Sequence, residues 1–170
     1  MKYIITVAVP LEISENYRHL PQIVYTGIGQ ISSLLALVDY KEVKAIYNIG
    51  SCVSKDQSDV GEIFKFNTFL SSCKSFPQKK ISNKNTNDIV VEIETHSEFV
   101  ANGNDMQCAF ADMESYAQAL FAEKYEIPFF CIKYVSDWAG STSISHWEDQ
   151  LPIVQKALDT VINDIINKSI

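Results

Sequence analysis

Residues 129–135, FFCIKYV, constrain this chain more than any other stretch. The run is almost continuously apolar and rich in aromatic and β-branched residues, which predicts a central strand covered on both faces. Just upstream, after Met113, the apolar residues Ala117, Leu120, Phe121 and Ala122 recur near helical spacing. One face of that helix is expected to lie on a sheet while Glu123, Lys124 and Glu126 stay wet, and Pro128 is expected to end it. Asp137 is expected just past the end of the strand. In open α/β sheets the carboxyl ends of strands line the ligand crevice, so this acid is a candidate for chemistry.

The remaining elements follow from local patterns. Residues 2–9 predict a buried strand that stops at Pro10 and leaves Glu12 on the loop beyond. A short strand over 22–26 leads into the turn Gly27-Ile28-Gly29 and a helix whose buried face is expected to carry Ile31, Leu34, Leu35 and Val38. The strand KAIYNI is expected to end at Gly50-Ser51, and residues 60–70 read as one longer strand alternating around Glu62, Lys65 and Asn67. Residues 74–88 are crowded with Lys, Asn and Ser and predict a solvated loop. A strand over 89–95 resumes the pattern, residues 96–99 follow its end, and 103–105 form a turn. At 151–167 the residues Leu151, Val154, Leu158, Val161 and Ile165 mark a covering helix. The expected fold class is α/β: one domain over residues 1–170, with a mixed β-sheet flanked by helices.

Charge and cysteine usage narrow the function classes. A chain of 170 residues is long enough to bury a sizeable core. With 14 basic against 21 acidic residues, a net charge of −7 and Arg18 as the only arginine, nucleic acid is not an expected partner. Cys52, Cys73, Cys108 and Cys131 are widely spaced without a CxxC pair, and His19, His96 and His146 fall on separate elements. No metal or cofactor is expected from them, and the thiols read as reduced. The apolar opening is too short for a membrane span and lacks a cleavage pattern, so the expected location is cytoplasmic.

Six landmarks then stand in one order: AVPLE at 8–12, GIG at 27–29, IGS at 49–51, VGEIF at 60–64, DMES at 112–115 and SD at 136–137. Together they resemble the nucleoside phosphorylase and nucleosidase superfamily, most closely the branch that hydrolyses methylthioadenosine and S-adenosylhomocysteine. The resemblance implies a three-layer sandwich and cleavage of the N-ribosidic bond of a purine nucleoside. That reaction needs a proton delivered to the purine, a stabilised oxocarbenium-like ribose and an activated water on the opposite face. By the resemblance, Asp137 is the general acid at the purine, beside Ser136, and Glu12 positions or activates water. Glu114 accepts hydrogen bonds from ribose hydroxyls, Met113 packs under the sugar, Phe99 stacks on the base and Ser51 lines the ribose or water side. A homodimer is implied as well.

The chain departs from the family pattern in places. A short polar loop stands where the family has a further helix and strand between the segments matching 60–70 and 89–95, so a shortened form is expected. IGSCVS lacks the usual following glycines, and Asp112 replaces the more frequent first glutamate. Taken singly, each site residue has a plainer reading. Asp137 can cap a turn, Glu12 can be a solvated acid, and Asp112 and Glu114 can favour a helix amino end. Met113 and Phe99 can be core residues and Ser51 a turn residue, while Trp138 and Trp147 can either cover a base or pack structurally. A nucleoside-binding protein without catalysis stays open, and a phosphorylase is disfavoured because phosphate capture wants guanidinium groups.

Overall fold

The computed structural model describes residues 2–82, 90–140 and 144–168, without the side chains of 144–146 and 168. The chain runs β1 (Ile4–Val7), α1 (Glu15–Arg18), β2 (Ile23–Tyr25), α2 (Gln30–Ala36), β3 (Ile46–Ser54), β4 (Ile63–Phe66), β5 (Thr68–Ser71) and β6 (Ile81–Ser82). It continues through β7 (Glu92–Thr95), β8 (Phe110–Asp112), α3 (Ser115–Lys124), β9 (Phe129–Trp138) and α4 (Ile144–Lys168). Short 3-10 turns stand at Pro10–Glu12, Gln57–Asp59 and Gly103–Asp105.

All the described strands join one mixed sheet in the order β2-β1-β3-β8-β7-β5-β6, with β9 between β3 and β4. β3 runs parallel to β1 and β9, and its far end pairs antiparallel with β8. The alternation of β1 shows how the sheet divides two cores. Ile4 belongs to the core that contains Tyr116, Ala119 and Phe121 of α3, whereas Ile5 and Val7 belong to the one that contains Val154, Leu158, Ile162 and Ile165 of α4. Helices therefore cover both faces, as the continuous apolar run of β9 requires, and the expected three-layer arrangement is present.

Several local expectations are corrected. The strand that begins KAIYNI does not stop at Gly50-Ser51 but runs on to Ser54, because β9 pairs with it along its whole length. Residues 60–70 form two strands broken at Asn67: β4 pairs with β9, while β5 pairs with β6 and β7. Asn67 Oδ1 accepts from Val91 N–H at 3.1 Å, which anchors the break. Pro128 does not end the upstream helix. α3 stops at Lys124, and Glu126 takes a positive φ of 55° in the turn between them. Within 74–88, Phe76 packs on the core and Ile81–Ser82 pairs with β5, so this part is not simply solvated; 83–88 lie outside the described residues.

The largest correction concerns α2. Ile31, Leu35 and Val38, expected on its buried face, are 69%, 65% and 45% exposed, and only Leu34 packs inward. Gln30, Ser33 and Leu37 are buried instead. Gln30 Oε1 accepts from Ser71 Oγ at 3.2 Å and Ser33 Oγ meets Thr26 Oγ1 at 3.5 Å, so polar partners on the sheet set the rotation of this helix.

Candidate active site

The loops and strand ends beyond β1, β3, β8 and β9 enclose a cavity of about 300 Å3. Glu12, Ser51, Phe99, Met113, Glu114, Ser136 and Asp137, drawn from five separate stretches of sequence, all line it. Asp112, Glu98, Ile28 and Trp147 line it too.

Glu12 is reached because Pro10 ends β1 and opens a 3-10 turn that folds the acid back over β3. It is 3% exposed, not the solvated loop acid that its position alone suggests. Its Oε1 accepts from Ser51 N–H at 2.9 Å and Ser51 Oγ at 2.8 Å, and Oε2 lies 3.4 Å from Val9 N. Gly50 makes this approach possible. A Cβ there would lie 3.2 Å from Glu12 Oε1 and 3.4 Å from Lys133 Nζ, so the glycine is a gap in the sheet surface rather than the end of a strand.

Asp137 lies inside β9, paired with Val53, and not just past the strand end. The register slips between Cys52 and Val53, whose partners are Val135 and Asp137, so Ser136 is an extra residue on β9. The bulge lets adjacent residues Ser136 and Asp137 both line the cavity, which strict alternation forbids. Ser136 Oγ lies 2.5 Å from Asp137 Oδ1 and 3.3 Å from the Cys52 carbonyl.

Glu114 stands at the amino end of α3 and accepts Gly29 N–H at 2.9 Å. Gly29 has a φ of +94°, a conformation that side chains other than glycine rarely adopt. Burial pushes the Glu114 carboxyl up to about 7, helped by the charge of Asp112 and opposed by Lys133 and the Gly29 hydrogen bond. Met113 beside it is half-buried, and Phe99 at the cavity mouth is 38% exposed.

The structure adds a buried ion pair that the sequence reading missed. Lys133, 2% exposed in the middle of β9, places Nζ 3.1 Å from Asp112 Oδ2. Asp112 also accepts from Ser115 N–H at 3.1 Å, Ser115 Oγ at 2.9 Å and Thr95 Oγ1 at 2.7 Å. It is therefore more than a neighbour of Glu114 in sequence. Burial works against the charge on Lys133, but Asp112, with Glu114 and Glu12 farther off, outweighs it and holds the ammonium above the ordinary lysine range. The available signal was a lone lysine in an otherwise apolar strand. Trp147, left open between covering and packing, donates its indole N–H to Ser51 Oγ at 2.9 Å. Trp138 is not among the lining residues.

Residues that fall elsewhere also narrow the chemistry. Arg18 directs Nε to the carbonyls of Pro10 and Ile13 at 2.9 and 3.1 Å and does not line the cavity. His19 is exposed, His96 Nε2 lies 3.3 Å from Glu94 Oε1, and the side chain of His146 is outside the described set. The four cysteines are free, and among the described residues no group of three or more His, Cys, Asp or Glu is arranged to hold a metal ion. No helix among them is long and apolar enough to cross a membrane.

A sheet with helices on both faces and an acid-lined cavity at the strand ends is the architecture implied by the resemblance to the nucleoside phosphorylase and nucleosidase superfamily, and known structures bear the fold out. The nucleosidase MTAN of Chlamydia trachomatis bound to MTA matches with a TM-score of 0.83, 13% identity and coverage of 100% of both chains. The 5′-methylthioadenosine nucleosidase of Arabidopsis thaliana matches at a TM-score of 0.78 and 16% identity, over 97% of this chain and 94% of that one. The adenine-bound methylthioadenosine/S-adenosylhomocysteine nucleosidase of Colwellia psychrerythraea matches at 0.72 and 21%, over 89% and 88%. In sequence, a methylthioadenosine/S-adenosylhomocysteine nucleosidase of Psychromonas ingrahamii is 34% identical over 82 residues. That match spans 48% of this chain and 35% of the relative's length. No protein-family model matches.

Proposed function

We propose that this protein is a purine nucleosidase, hydrolysing the N-ribosidic bond of a nucleoside of the methylthioadenosine or S-adenosylhomocysteine type. The observation that carries the reading is the convergence of Glu12, Glu114 and Asp137 on one cavity from the ends of three different elements. A carboxyl group on each side of a glycosidic carbon is what acid-assisted departure and base-assisted water attack require.

Asp137 delivers a proton to the purine as the bond to ribose lengthens, with Ser136 orienting its carboxyl. Glu12, fixed by Ser51, receives a proton from the attacking water. Glu114 accepts from ribose hydroxyls, Met113 packs under the sugar, and Phe99 stacks on the base from the mouth. The names and ligands of the structural neighbours, adenine and MTA among them, favour the same substrate class. A phosphate-dependent reaction is disfavoured, because Arg18 is committed to backbone carbonyls outside the cavity lining. A binding protein that has lost catalysis is the alternative.

The assembly we infer is a homodimer, supported by the exposed apolar residues Ile31 and Leu35 on α2, Val38 just past it and Ile28, which lines the cavity, just before it. Four free thiols suit a cytoplasmic location. Incubating the protein with methylthioadenosine, adenosylhomocysteine, adenosine and inosine, with and without phosphate, tests the reading. Free purine released without phosphate is expected, and strict phosphate dependence contradicts it. A nucleoside that raises Tm without being cleaved supports the binding alternative.

A further inference from the structure

Glu12 is held through a hydrogen-bond chain that starts on α4, beyond the strands and turns that form the rest of its surroundings. Trp147 Nε1 lies 2.9 Å from Ser51 Oγ, and Ser51 Oγ lies 2.8 Å from Glu12 Oε1. The direction of this chain is fixed by chemistry. An indole N–H donates and never accepts, so it occupies a lone pair of the serine hydroxyl. The hydroxyl has one proton, and the acceptor at its other side is a carboxylate oxygen, so that proton points at Glu12 Oε1.

We infer that Trp147 is a positioning residue for Glu12, acting through Ser51 to set which carboxylate oxygen stays available as a base. Oε1 receives both the Ser51 hydroxyl and the Ser51 N–H, at 2.8 and 2.9 Å, while among the described residues Oε2 has only the long contact of 3.4 Å from Val9 N. Oε2 is thus the oxygen with free lone pairs, and the water that Glu12 activates sits against it. Without the indole donor a lone pair of the serine oxygen is left without that partner, and the hydroxyl that donates to Oε1 is held less firmly. A phenylalanine at 147 would cover the cavity with a similar apolar ring but cannot start the chain.

The inference rests on the nucleosidase reading for its kinetic arm and on geometry alone for its spectroscopic arm. In 15N-labelled protein the indole N–H signals of Trp138 and Trp147 are separated by the Trp147→Phe variant. Ser51→Ala and Glu12→Gln are each expected to move the Trp147 signal while leaving Trp138 in place, and a Trp147 signal indifferent to both overturns the inference whether or not any nucleoside is cleaved. In the kinetic arm, Trp147→Phe is expected to lower kcat by about tenfold with KM within about twofold. In a Ser51→Ala background the same substitution should cost nothing further. A rise in KM at unchanged kcat, or full additivity with Ser51→Ala, overturns it. If the wild-type protein cleaves no nucleoside, the nucleosidase reading fails separately and the signal shifts decide the positioning role.

Discussion

The two faces of the sheet are built on different physics. Against α4 the strands present Ile5, Val7, Ile49 and Tyr134 to Val154, Leu158, Ile162 and Ile165, an apolar contact with ordinary hydrophobic stability. Against α3 the same strands carry polar groups between apolar ones. Thr6, Asn48 and Cys131 stand side by side on β1, β3 and β9, and Thr6 Oγ1 donates to Gln118 Oε1 at 2.7 Å. One row farther along, Lys133, Asp112 and Glu114 are buried beside the cavity. The α4 face is thus apolar along most of its length, and only at its cavity end do Trp147 and Ser51 link it to Glu12. The other holds charges that are costly to bury and places carboxyl groups where a substrate can reach them.

Substitutions that separate the faces give a graded set of expectations. Lys133→Met removes the cation facing Asp112 and leaves that carboxylate buried without its ion-pair partner, so it should cost about 3–5 kcal/mol in chemical denaturation. A cost below that of an α4 cavity would mean the polar face does not depend on its ion pair. Leu158→Ala, fully buried on the opposite face, should cost about 2–4 kcal/mol through lost burial and the cavity left behind. Its folded fraction should keep the nucleoside affinity of the parent, which calorimetric titration checks.

Glu114 gives an effect of intermediate size with a defined sign. Its folded pKa, about 7, lies above the ordinary carboxyl value of 4.5, so between those two the folded state holds a proton that the unfolded state has released. Stability from this group is therefore fully present below about 4.5 and is lost as pH rises through 7. Glu114→Gln removes that loss, and its Tm relative to the parent should increase from about pH 5 and level off as the pH passes above 7. A flat difference would place the charge of Glu114 outside the energetics of this face. The smallest effect on folding is expected at Ile31→Glu, on the exposed side of α2. Stability of the folded chain should change by less than about 0.5 kcal/mol, while sedimentation should report loss of the homodimer proposed above.

Elements whose residues face one local environment were legible in the sequence. The strand of β9 and the α4 spacing at Val154, Leu158 and Ile165 follow from periodicity, while a common site for Glu12, Glu114 and Asp137 was implied by the resemblance and not by any local pattern. What escaped depended on partners distant in the chain. Gly50-Ser51 reads locally as a stop, yet Gly50 continues β3 because two side chains from other elements pass over it. The rotation of α2 is set by Ser71 and Thr26, which no pattern within the helix reveals. Lys133 is tolerated in an apolar strand only because Asp112, on a neighbouring stretch of the cavity wall, meets it. The bulge that turns Ser136 and Asp137 together into the cavity is likewise a matter of pairing with β3.

The central claim is that Asp137 protonates the leaving purine, and its replacement by asparagine tests this most directly. Asp137→Asn keeps the size and the Ser136 contact while removing the proton, so kcat for a nucleoside should fall by about 100-fold or more. The Kd for adenine, measured by calorimetry on the same variant, should change by less than about threefold. Equal losses in turnover and in binding, or turnover that survives the substitution, would contradict the account.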